Sequence, residues 1–146
     1  MYKIRSFGER GVWSHMITFN EVYTKARAAV LSVSANAFVT STYTPTPSKF
    51  PAVFIREVGR FTPTRYISLA NTETVQETTL EVQVFSNKTG GAKTEADSIL
   101  SAVESALKAQ YFHLVSSAPV ENADSTVYRL AARFRRIIGG ADTIKN

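Results

Sequence analysis

The chain has no cysteine, only two histidines and a single tryptophan in 146 residues. Missing thiols exclude disulfides, thiolate zinc sites and cysteine nucleophiles, and agree with assembly in a reducing cytoplasm. His15 and His113 are too few for a histidine-rich metal site, and no second ligand stands at metal spacing from either. No run of about 18 apolar residues exists, so no membrane-spanning helix and no membrane partner is expected. The opening MYKIRSFGER is too polar for a signal peptide. Neither paired carboxylates nor a nucleophile with its base stands out, so no catalytic residue, metal or cofactor is expected and the chain does not read as an enzyme.

What is present is enough for one domain. A 44% hydrophobic chain of this length can bury a core without covalent staples. The formal charge of +5 is unevenly spread. Residues 1–27 carry about +3 and residues 126–146 about +4, which leaves the middle slightly acidic and makes both ends candidates for acidic partners.

Residues 80–107, LEVQVFSNKTGGAKTEADSILSAVESAL, switch from period two to period 3.6. Leu80, Val82 and Val84 alternate with Glu81 and Gln83, the pattern of a strand with one face buried. After Ser86, Asn87 and a Gly90-Gly91 turn, Ala96, Ile99, Leu100, Val103, Ala106 and Leu107 recur at helical spacing. That helix, about 91–109, is expected to lie across the sheet. The two glycines invite comparison with a phosphate loop. Neither G-x-x-x-x-G-K-[ST] nor G-x-G-x-x-G is present, which favours a chain-reversing turn.

Upstream, Thr18 and Glu21 form a T-x-x-E capping box, with Ile17 and Val22 placed as a hydrophobic staple, so a helix is expected over about 19–34. Strand composition follows at 37–44, at Ala52 to Val58 and at 77–86. Residues 60–76 lack an apolar period and read as a long hairpin arm or ordered loop. Phe61, Tyr66, Ile67 and Leu69 are too apolar for a solvated loop of that length, which points to contact with a neighbouring subunit. Strands at Tyr111 to Ser116 and Thr126 to Ile138 complete the order α, β, β, β, α, β, β. The fold class is α+β: a mostly antiparallel or mixed sheet of four to five strands packed on two helices. Residues 1–17 form an N-terminal arm, 18–140 the domain and 141–146 a polar tail.

On the last strand Tyr128, Leu130, Ala132 and Phe134 alternate with Arg129, Ala131, Arg133 and Arg135, and Arg136 continues the run. Arginine forks suit carboxylates and phosphates. An acidic protein partner, a DNA backbone or plain solvent each fits that face. Stacking platforms for single-stranded nucleic acid are not expected, because Tyr128 and Phe134 point the other way. The candidate interface residues are therefore Arg60, Arg65, Tyr66, Ile67, Arg129, Arg133 and Arg135.

Three stretches, FPAVFIREVGR, the 80–107 segment and DSTVYRLAARFRRIIG, together resemble the tail terminator, or tail completion, proteins of long-tailed bacteriophages. The shared pattern is a V-Y/F-S-N turn (Val84, Phe85, Ser86, Asn87), a helix with Lys93 and Ala96, and a closing YR…R(F/Y)R strand (Tyr128, Arg129, Arg133, Phe134, Arg135). The resemblance spans about Thr18 to Gly140; the arm before Thr18 is longer than the beginnings typical of the family. It implies a structural virion protein of the tail or neck, assembled in the host cytoplasm. Its subunits would form a ring, hexameric in the family, that caps the head-proximal end of the tail tube and stops its growth. The implied partners are other copies of the chain, the tail tube protein, a head-side connector or stopper, and double-stranded DNA passing through the lumen without sequence recognition. Two other readings stay open: another neck or tail component, such as a head-completion stopper or the tube protein itself, and a small basic nucleic-acid-binding module.

Overall fold

The structure, a computed structural model, describes residues 18–44, 46–61 and 75–139. Its elements run α1 (Phe19–Val33), β1 (Phe38–Thr40), β2 (Ala52–Phe61), β3 (Val75–Ser86), α2 (Ala92–Lys108), β4 (His113–Val120) and β5 (Tyr128–Gly139). The five strands form one sheet in the order β1-β2-β3-β5-β4. β1 runs parallel to β2 and every other pair is antiparallel, so the sheet is mixed and the fold is α+β. The last strand enters beside the central β3, while the strand before it takes the edge. α2 makes this possible by carrying the chain over the sheet before β4 begins.

α1 starts where the capping box requires. The Thr18 hydroxyl accepts the Glu21 amide at 3.2 Å, and Glu21 accepts the Thr18 amide at 2.7 Å, so two amides at the helix start have partners. Ile17, the other half of the expected staple, lies outside the described residues. Val22, Ala26 and Val30 are buried, whereas Val33 is 54% exposed where the helix ends.

α2 follows from the Gly-Gly turn. Gly90 adopts φ +74°, a conformation that costs other residues energy, and Gly91 is the N-cap. Glu95 stands in the first turn, where the helix dipole favours a negative charge, and accepts the Ser86 hydroxyl at 2.5 Å. Ala96, Ile99, Leu100, Val103 and Leu107 pack with α1 residues onto Val53, Ile55, Leu80, Val82, Val84, Leu130, Ala132 and Phe134 of the sheet. Each large aliphatic buried there contributes about 1.5–3 kcal/mol of transfer free energy. Length also matches. The 17 residues of α2 span about 25 Å, as do the strand residues from Thr78 to Ser86 beneath them.

Several boundaries differ from the sequence reading. At the ends of segment 60–76, read as a hairpin arm or ordered loop, β2 continues to Phe61 and β3 begins at Val75, with Arg60 opposite Thr78 and a register irregularity between Glu57 and Gly59. VQETT carries no apolar period, yet it is held in β3 by its ladder with β5, joined from Glu77 onward by the ladder with β2. β1 shrinks to three residues. β4 begins after Tyr111, whose φ of 68° turns the chain, and continues through Pro119, which an edge strand tolerates.

Candidate interaction surface

Both helices lie on one face of the sheet, and among the described residues no helix covers the other, open face. At one end of this open face Ala52 and Phe54 of β2, Phe85 of β3 and Val127 form a second apolar cluster, with Phe50 packed against it. The Phe54 and Phe85 rings meet edge-on at 5.3 Å, and Tyr43 tilts onto Phe54 at 5.5 Å. Phe85 is fully buried although no helix residue belongs to its cluster.

Beyond the aromatics the face is ionic. Strand register sets Arg56, Glu81 and Arg133 side by side on β2, β3 and β5. Arg56 donates to Glu81 Oε1 from Nε at 2.8 Å and lies 2.6 Å away through Nη2, while Arg133 Nη2 reaches Oε2 at 3.5 Å. Glu81 is 8% exposed. Burial pushes its carboxyl pKa up, but the hydrogen bonds from Arg56 and Gln83 and the charges of Arg56 and Arg133 outweigh that, holding it below the ordinary value of 4.5. Arg135 pairs with Glu77 at 2.7 Å. Arg129 donates to Gln83 at 2.9 Å and places its guanidinium 5.4 Å from the centre of the Phe85 ring.

Arg129, Arg133 and Arg135 therefore share one face, with carboxylate or amide partners beneath each. Arg136 faces the opposite way: it is 5% exposed on the helix side and donates to the Gln110 carbonyl at 2.7 Å. Arg60 also stands apart from the arginine strand, paired with Glu57 at 3.0 Å. Arg65, Tyr66 and Ile67 lie outside the described residues. His113 sits on edge strand β4 opposite Arg135, and no cluster of metal-ligating side chains is found among the described residues.

The sequence reading missed Arg56, Glu81, Phe54 and Phe85 as members of this surface. Alternation along β3 does place Glu81, Gln83 and Phe85 on one face, so the signal was present. What a single strand cannot reveal is that long neighbours on β2 and β5 cover that face. A ring from the neighbouring strand does stand beside the arginines, since Phe85 of β3 lies against Arg129. Being fully buried, that ring offers no platform to a base.

No family model matches the chain, and no curated protein matches it. Among solved structures it is similar to a chain from the virion of a native gene transfer agent particle, with a TM-score of 0.60 and 17% identity, over 82% of this chain and 92% of that one. At that identity the likeness is one of fold, and it extends over nearly the whole of the other chain.

Proposed function

We propose that the protein is a structural component of a virion, and specifically a tail terminator: a ring subunit that caps the head-proximal end of a tail tube and receives the head-side connector. The observation that carries this reading is the shared fold with a chain of the gene transfer agent virion over 92% of that chain. The three stretches that resemble tail terminators support the finer assignment. A sheet with one ionic face that no described helix covers suits adhesive and steric work rather than catalysis. In this reading one face of the ring binds the last tube ring and the other offers no tube-binding surface, so polymerisation ends.

Electron microscopy of particles assembled without the protein tests the assignment. Overlong tubes support a terminator, and tubes of normal length with unattached heads would make it a stopper instead. Loss of the tubes altogether would make it the tube protein. A nucleic-acid-binding module is disfavoured by the pairing of Arg56 and Arg133 with Glu81 and of Arg135 with Glu77. Such a module would show binding that falls with salt at a log-log slope of about 0.9 per phosphate contact on duplex DNA.

A further inference from the structure

The two edges of the sheet share a lack of charge. One edge is β4, eight residues long and exposed at seven of its positions. The other is β1 with the segment that follows it, where Phe38 and Tyr43 are 37% and 38% exposed. From Ala28 to Ser48, and again from Ala109 to Val120, there is no Asp, Glu, Lys or Arg, in a chain that is 20% charged. Natural sheets protect their edges with lysines and other charges, and an uncharged edge of this length invites another strand. Val115 and Val120 add apolar surface at 44% and 38% exposure.

We infer that in the assembled ring the β4 edge of one copy seats against the β1 edge of the next, joining the two sheets. This rests on the ring reading above and names the surfaces that build it. Strand directions permit it. β1 runs with β2, and each later step across β3, β5 and β4 reverses direction, so β4 meets the β1 of the following copy in an antiparallel sense. Two charge-free edges approach without stripping water from any ion, whereas either edge against the ionic open face would bury charges. Pairing of β4 with the β4 of a second copy is less suitable. Pro119 removes a donor near one end and the register breaks between Leu114 and Ser116, so no long self-complementary ladder remains. The three-residue β1 needs only a short stretch. Because the Tyr23 hydroxyl already donates to the Val39 carbonyl at 3.3 Å, apolar contact by Phe38 carries more of the junction than ladder bonds. The contact is heterologous, the kind that closes into rings.

The test places charges on each edge of the full chain: Val115→Lys with Ser117→Lys on β4, and Phe38→Lys with Ser41→Lys on β1. All four positions are exposed, and circular dichroism checks that both variants fold. Mass is measured at concentrations where the wild type assembles, or on tail tubes where the free chain is monomeric. Each variant alone is expected to lose the ring. Mixed together, each supplies the edge the other lacks, and the pair is expected to stop at a one-to-one dimer. A β1 variant that still dimerises alone, with no rescue on mixing, would establish β4-to-β4 pairing and overturn the inference. Variants that still form rings would also overturn it while leaving the ring reading intact. A wild type that forms no ring, free or on tubes, would remove both.

Discussion

Arg136 Nη1 donates to the Gln110 carbonyl at 2.7 Å, tying β5 to the turn that ends α2. Arg136 is 5% exposed, and its guanidinium lies 5.4 Å from the centre of the ring of Tyr111, the residue whose φ of 68° carries the chain from helix to strand. Arg136→Met is expected to lower stability by about 2–3 kcal/mol, because it removes a charge-assisted hydrogen bond from a buried carbonyl. Arg136→Lys should recover only part of that, lacking the planar fork. Urea midpoints of the three proteins check the order.

Glu81 makes acid sensitivity a local property of the open face. Its folded pKa is depressed, so the stability it contributes is fully present above its unfolded value near 4.5 and is lost as pH falls through the lower folded value. Glu81→Gln should cost about 1 kcal/mol at neutral pH, since the partnering arginines are half exposed. The gap between variant and wild type should then close below pH 4.5. A gap that stays constant through that acid range would refute the assignment, and stability curves measured from neutral pH downwards decide it.

Phe85 lies on the face without helices, where a substitution on an ordinary exposed strand position would cost within about 0.5 kcal/mol. Its full burial against Phe54 and Arg129 predicts a loss of about 3–5 kcal/mol for Phe85→Ala. Thermal melting of that variant beside Ser117→Ala on exposed β4 separates the two expectations.

Thr18→Ala removes the hydroxyl that accepts the Glu21 amide, and about 1 kcal/mol of stability should go with it. Thr18→Ser should be close to neutral. Chemical denaturation measures both.

Much of the fold is legible in local pattern. The capping box at Thr18, the glycines at 90–91 and the stripe from Ala96 to Leu107 each carry their own physical cause, and each produces the element expected. What is not legible depends on neighbours. VQETT becomes strand because β5 pairs with all of it and β2 with its last three residues. Arg136 follows directly upon Arg135 yet faces the helices, where α2 ends at a carbonyl it can reach. Of the interface residues chosen from sequence, Arg129, Arg133 and Arg135 do come together. Their partners Gln83, Glu81 and Glu77 were visible only as the polar half of an alternating strand, because cross-strand register decides which charges meet.

The turn that ends α2 is bonded to Arg136, which stands opposite Thr78, and β2, β3 and β5 continue past that row. A strand pair lengthened or shortened by two residues per strand shifts its end by about 7 Å while every side chain keeps its face. Reach and stability are then separate variables in this chain: strand length past Thr78 sets the first, and the helix-covered stretch behind it sets the second.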